Sequence, residues 1–233
     1  MRAPRPVTQF RCEGTLEREL RARGFEAVAG ADEVGRGALF GPVVAAAVIL
    51  SPARPVRGLN DSKQLDPDRR EVLAARIRER AVAWSVAAVD AAMIDWINIY
   101  QASKLAMERA VAALQPAPDF ILTDAMPLSL PTPQRALIKG DAQCHAIAAA
   151  SIIAKVWRDE RMRIWDRIFP AYGLAGHKGY STPEHARALA AYGPTPIHRL
   201  SFEPVRAHAL FPADFDPWAG AQMDLFAVLE AAS

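Results

Sequence analysis

Cysteine is scarce: Cys12 and Cys144 are the only two in 233 residues. Two isolated thiols build neither a disulfide framework nor a zinc-ligand spacing, and each reads as a small apolar residue. Lysine is scarce as well. Lys63, Lys104, Lys139, Lys155 and Lys178 are the only five, so most of the basic charge is arginine. The net charge of +2 excludes a strongly polycationic binder but leaves room for a local basic surface. No run reaches the roughly 18 apolar residues that a membrane span needs. The N-terminal Met1-Arg2-Ala3-Pro4-Arg5-Pro6 lacks an apolar h-region, so a cytoplasmic protein without a secretory signal is expected. A hydrophobic share of 51% and a charged share of 23% suit one sizeable globular core. There is no internal repeat.

Against that ordinary background stands Asp32-Glu33, set between the short apolar runs Glu26 to Ala31 and Val43 to Leu50. Adjacent carboxylates in apolar surroundings raise each other's pKa, and when they stay ionised they usually hold a cation. Gly35-Arg36-Gly37 follows directly. Two flexible positions around a guanidinium suit close backbone approach to a phosphate-bearing ligand.

The hydrophobic pattern predicts a short helix over Thr15 to Arg23, buried strands over Glu26 to Asp32 and Val43 to Leu50, and a helix opened by Asp66-Pro67. A third strand over Ala81 to Val89 follows, then a short helix capped by Asp90 and a longer one from Asn98 to Leu114. Asp119 to Asp124 and Arg135 to Lys139 read as short strands. Ala142 to Phe169 reads as a long helix, and Thr182-Pro183-Glu184 opens another to Tyr192. Strands joined by short turns pair antiparallel, and strands reached through helices pair parallel. The prediction is an α/β fold with a mixed five-stranded sheet flanked by helices and a C-terminal helical extension. Residues 1–24 form an N-terminal extension, 25–210 the main domain and 211–233 a tail.

Asp124 and Asp141 each follow a predicted strand. Alone, Asp124 reads as a strand-end residue and Asp141 as a helix cap; spacing does not establish that they meet Asp32 and Glu33. If they do, four oxygen donors without a His/Cys cluster suit Mg²⁺ or Mn²⁺ rather than zinc.

Several blocks jointly resemble the bacterial ribonuclease HII family. They run from Ala29-Gly30-Ala31-Asp32-Glu33-Val34-Gly35-Arg36-Gly37 through Leu59-Asn60-Asp61-Ser62-Lys63 and Leu137-Ile138-Lys139-Gly140-Asp141. They continue through Ala148 to Val156, Arg158-Asp159, His177-Lys178-Gly179-Tyr180 and Pro196-Ile197-His198-Arg199-Leu200-Ser201-Phe202. The resemblance implies an RNase H-like fold. It also implies an endonuclease that hydrolyses the RNA strand of RNA/DNA hybrids and cuts 5′ to single ribonucleotides in duplex DNA. Two Mn²⁺ or Mg²⁺ ions would be held by Asp32, Glu33, Asp124 and Asp141, and the products would carry a 3′-hydroxyl and a 5′-phosphate. It assigns 2′-hydroxyl sensing to Gly35, Arg36 and Gly37, and the junction sugar to Tyr180; a monomer is expected. Ala125 stands where the family often has glycine, and Phe40 where it has a smaller residue.

Lys63, Lys155, Lys178 and Arg199 are candidates for phosphate contact, with a solvated surface role as the alternative for each. Asp159 is expected in a salt bridge on the helix surface, and Trp84, Trp96, Trp157 and Trp165 in packing. In the tail, Gln222, Asp224, Leu225 and Phe226 resemble a peptide that binds a sliding clamp; an amphipathic helix docked on its own domain is the alternative. Two competing functions remain. Another nuclease of this fold is disfavoured by Gly35-Arg36-Gly37 with Tyr180, and a catalytically silent hybrid-binding module by the four retained carboxylates.

Overall fold

The computed structural model describes residues 12, 14–60, 62 and 65–209. Helix α1 (Thr15–Ala22) precedes strands β1 (Val28–Val34) and β2 (Val43–Ile49). Helix α2 (Pro67–Arg80) begins where Asp66 accepts a hydrogen bond from the Arg69 amide at 2.8 Å, satisfying one orphan donor of the first turn. Strand β3 (Ala83–Val89) leads into α3 (Ala91–Ala112), which Asp90 caps through the Met93 amide. The two helices expected here form one element with a kink at Asn98. That residue takes φ 67, and its side chain accepts from the amides of Tyr100 and Gln101, recapping the second half.

Strands β4 (Phe120–Asp124) and β5 (Gln134–Leu137) follow, then a 3₁₀ turn (Gly140–Ala142) and the long helix α4 (His145–Ile168). The last strand is shorter than expected because Lys139 adopts a left-handed conformation, φ 58, to enter the turn. Helices α5 (Leu174–His177), α6 (Pro183–Tyr192) and α7 (Glu203–Arg206) complete the described chain.

The strand order is β3-β2-β1-β4-β5. The β1–β2 and β2–β3 pairs are antiparallel, and the β1–β4 and β4–β5 pairs parallel. Both faces of the central strands are covered, so these strands are apolar throughout rather than alternating. Val43, Ala45, Ala47 and Ile49 pack with Ala102, Ala106 and Met107 of α3. Val44, Ala46 and Val48 pack with Leu73 and Ile77 of α2 and Ala149 and Ile153 of α4. Gly30 permits the closest approach: a Cβ there would lie 2.1 Å from the Ala146 carbonyl carbon. The helices beyond α4 pack through a separate cluster, with Leu39, Phe40, Met162, Leu174, Leu189 and Val205. Trp84 and Trp96 depart from the expected packing role: they are 41% and 39% exposed. Trp84 lies on the edge strand, with Arg78 over its ring.

Candidate active site

Asp32 sits near the carboxyl end of β1, and Asp124 ends the parallel neighbour β4. The parallel pairing of β4 with β5 sets Asp124 opposite Leu137. The turn after β5 then brings the Gly140 amide to donate to Asp124 Oδ1 at 2.7 Å. Asp141, the next residue, is buried in that turn. The carboxyl ends of parallel strands are where open α/β sheets place ligands.

Asp32 lies within the electrostatic reach of the other three carboxyls. Burial raises the Asp32 pKa well above the usual carboxylate range, and the charges of Glu33, Asp124 and Asp141 raise it further. A hydrogen bond from Ser151 on α4 acts in the opposite direction. Glu33 is raised by burial as well, against the lowering effect of Arg36, whose guanidinium meets it at 3.2 Å. Glu33 Oε2 is buried without a hydrogen-bond partner among the described residues. An orphaned carboxylate oxygen beside three further carboxyls fits an all-oxygen site for a hard cation. Among the described residues no three His, Cys, Asp or Glu side chains are drawn together closely enough to hold a metal ion as they stand.

Beside the carboxyls, residues 35–42 form a loop tied to two other segments. The Leu39 amide donates to Gly179 O at 2.8 Å, Gly41 N to Ile197 O at 2.9 Å, and Arg199 N to Leu39 O at 2.9 Å. Ala38 bridges Tyr180, which is half-buried. Arg36 and Gly37 are exposed, and nothing stands within 4 Å of a Cβ placed on Gly37. Gly35 has φ 88, a conformation that favours glycine,. The Ala38–Tyr180 bridge places Tyr180 beside the end of the Gly35-Arg36-Gly37 segment. Phe40 is fully buried and meets Trp165, Phe169 and His198 edge-on; its larger side chain supports the loop from behind.

Arg199 departs from its expected place. Its side chain is fully buried and donates to Gly41 O at 2.9 Å and Arg36 O at 2.8 Å, so it holds the loop from within rather than meeting phosphate at the surface. Lys155 pairs with Asp159 at 2.7 Å, the expected i,i+4 bridge, although Asp159 is buried. Lys178 donates to Ala175 O. Lys63 and the tail residues Gln222, Asp224, Leu225 and Phe226 lie outside the described residues.

Sequence reasoning gave no role to Ser151, Arg158 or His198, and expected His185 to be structural or exposed rather than catalytic. A hydroxyl within the Ala-rich run Ala148 to Ala154 was the available signal for Ser151. Arg158 was hidden in a stretch of charges, Arg158 to Arg161, that reads as a solvated face. His185 and His198 lie 3.0 Å apart through their Nε2 atoms. His198 Nδ1 accepts from the Thr195 amide, so its Nε2 carries the proton and donates to His185. His185 Nδ1 then donates to Tyr180 O at 3.0 Å. Two neutral imidazoles thereby tie the Tyr180 backbone to the segment before Arg199.

Residues 29–205 match the family model described as Ribonuclease HII. A Ribonuclease HII of Solibacter usitatus is 74% identical over 224 residues, covering 96% of each chain. Among solved structures, the ribonuclease H2 of Pyrococcus horikoshii is 28% identical with a TM-score of 0.68, over 78% of this chain and 97% of that one. The RNase HII in a PCNA:RNase HII complex from Archaeoglobus fulgidus is 28% identical with a TM-score of 0.66, over 80% and 98%. The chain belongs to the ribonuclease HII family of endoribonucleases.

Proposed function

We propose that this endoribonuclease hydrolyses the RNA strand of RNA/DNA hybrids and cuts on the 5′ side of single ribonucleotides in duplex DNA, leaving a 3′-hydroxyl and a 5′-phosphate. The observation that carries the proposal is the grouping of buried Asp32 and Asp141 with half-buried Glu33 and Asp124, in which burial and then the charges of the other three raise Asp32, and one Glu33 oxygen has no hydrogen-bond partner among the described residues. Such a cluster is costly unless cations neutralise it.

The four carboxylates would hold two divalent ions, Mg²⁺ or Mn²⁺. When bound, these supply Lewis-acid stabilisation of a phosphodiester and activation of water. The protein's own part is positioning. Ser151 and the Gly140 amide orient Asp32 and Asp124. The exposed backbone at Arg36 and Gly37 offers donors to a phosphate and its neighbouring 2′-hydroxyl, the group that separates RNA from DNA. The adjacent Tyr180 ring offers a flat apolar surface for the following sugar, which an added hydroxyl would disfavour. In the tail, Gln222, Asp224, Leu225 and Phe226 would dock on a sliding clamp, a partner in keeping with the PCNA complex formed by the Archaeoglobus fulgidus protein.

Two labelled duplexes test the reading, one carrying a single ribonucleotide and one all DNA, each with Mg²⁺ or Mn²⁺. A cut 5′ to the ribonucleotide, absent from the all-DNA duplex and from Asp32→Asn, is expected. Cleavage of long hybrids alone would leave the metal site standing and remove the junction-reading role. Binding without any cleavage would favour the silent module. Truncation after residue 210 should spare cleavage of short duplexes and abolish clamp retention.

A further inference from the structure

Arg158 and Arg199 are both fully buried, yet neither pairs with a carboxylate among the described residues. Buried guanidiniums normally require such a partner. These two spend their donors on backbone carbonyls instead. Arg158 donates to Phe40 O at 3.1 Å, Pro42 O at 3.3 Å and, across to the other segment, Lys178 O at 2.8 Å. Arg199 takes Arg36 O and Gly41 O, and its Nη2 is buried without a partner. The two cations are close enough for Arg158 to lower the Arg199 pKa, which burial and that charge bring to about 9.

The arrangement links two elements that are far apart in sequence. A Cβ on Gly35 would fall 2.2 Å from Arg158 Nε, so the loop backbone rests on the guanidinium. The same guanidinium lies 5.5 Å from the centre of the Tyr180 ring. With carbonyls of residues 36, 40, 41 and 42 turned toward these cations, the loop's outer side is left to its exposed residues, Arg36 and Gly37.

We propose that Arg158 and Arg199 are positioning residues for substrate selection, a buried pair that fixes the Gly35–Gly37 backbone and Tyr180 relative to each other. The inference rests on the proposed reading of single ribonucleotides by those two elements. A lone ribonucleotide presents one 2′-hydroxyl in one place, whereas a long hybrid presents one at every step. Misalignment of the two elements therefore penalises the first substrate more.

The test is Arg158→Lys and Arg199→Lys, each keeping the charge while losing the planar fork that reaches several carbonyls at once. For each variant, kcat/KM is measured on a duplex with one ribonucleotide and on a long hybrid. Backbone amide shifts of residues 35–37 and 178–180 are recorded by NMR without substrate. The expected result is a fall of about tenfold to a hundredfold on the single ribonucleotide, the range that small misplacements produce, with a much smaller fall on the hybrid. Amides of both segments should move together in either variant. Equal losses on both substrates, as a reduced folded fraction would give, overturn the proposal; so does movement confined to one segment. Wild-type enzyme that leaves the single ribonucleotide uncut overturns the function beneath it, and that failure is distinguishable because it needs no variant. If a lysine variant does not fold, Gly35→Ala displaces the Arg158 guanidinium from the opposite side and is judged by the same ratio.

Discussion

Gly30→Ala tests the contact on which the site's geometry depends. Gly30 lies two residues before Asp32, so both face the same side of β1, the side covered by α4,. A Cβ at position 30 would stand 2.1 Å from the Ala146 carbonyl carbon, 2.3 Å from Ile147 N and 2.5 Å from Ala146 O. Ordinary contact begins near 3.4 Å, so the shortfall is about 1.3 Å. All three atoms are backbone, and no rotamer change relieves them; strand and helix must separate. Overpacking of this kind costs about 1–3 kcal/mol, occasionally more, and backbone against backbone belongs at the upper end. Loss of glycine's freedom in the unfolded chain returns about 0.4–1 kcal/mol, leaving a net loss of roughly 2 kcal/mol or more. At about 2–4 °C per kcal/mol for a domain of this size, Tm should fall by roughly 4–8 °C or more in calorimetry. Because α4 also carries Ser151, the Asp32 partner, cleavage at temperatures well below the new Tm should fall too. A Tm equal to or above the parent's would mean that only the entropic gain was realised, and would refute the close β1–α4 packing.

Asp32→Asn should abolish cleavage while raising Tm in chelator, since it removes one member of a repelling buried cluster. The linkage has a definite sign. Asp32 and Glu33 are raised in the folded state, so the fold binds more protons than the unfolded chain above about pH 4. Metal-free stability should therefore decline as pH rises from there through the raised values, and Mg²⁺ should raise Tm more at pH 8 than at pH 5. A pH-independent metal effect would contradict this. His198 runs the other way: burial, then the His185 charge, lower its pKa to about 3. Its contribution is complete above the unfolded value of about 6.5 and is lost as pH falls toward 3, at up to about 1.4 kcal/mol per pH unit. In denaturant titrations, His198→Gln should therefore show a shallower acid loss than the parent, and equal slopes would count against a neutral His198. Ala125 holds a left-handed φ of 53, so Ala125→Gly should stabilise by about 0.5–1 kcal/mol, the relief of Cβ strain outweighing glycine's entropy. A lower Tm would show that the turn after Asp124 is not strained.

The parts of the fold that could be read from sequence are those whose signals are local. Asp66-Pro67, Asp90 and Thr182-Pro183 each announce a helix start through a side chain that accepts an amide within three residues. The apolar runs at β1 and β2 are too short and too flanked by glycine to be helices. Connection length foretold the antiparallel β1–β2 pair, but not the antiparallel β2–β3 pair, which is joined through α2, nor the parallel β4–β5 pair, which is joined by a short loop without a helix. What escaped was long-range. Trp84 has the composition of a core residue, but only the sheet order makes its strand an edge. Arg158 and Arg199 look like surface arginines until the loop at 35–42 folds over them, 116–163 residues away in sequence. The His185–His198 pair depends on α6 packing beside a segment without regular structure, which no periodicity foretells. For the carboxyls, residue type was informative but convergence was not: it needed β4 to pair parallel with β1 and β5 with β4.

These long-range contacts leave two buried groups of opposite charge that do not neutralise each other. Asp32, Glu33, Asp124 and Asp141 form one, and Arg158 and Arg199 the other, with the two arginines bonded to carbonyls of residues 36–42, which follow Glu33 in the chain. The salt bridge between Glu33 and Arg36 uses an exposed arginine and is of the kind that contributes little. A simple rearrangement for stability would pair the two groups directly. The fold instead caps the guanidiniums with carbonyls and leaves Glu33 Oε2 and Arg199 Nη2 without partners among the described residues. Divalent cations would supply the positive charge that the carboxyls lack, and a phosphodiester bound beside them would balance the cations in turn. On this argument the cost held in the resting site is released when substrate and metal arrive together. Metal and duplex should therefore bind with positive coupling, each tightening the other by the same factor.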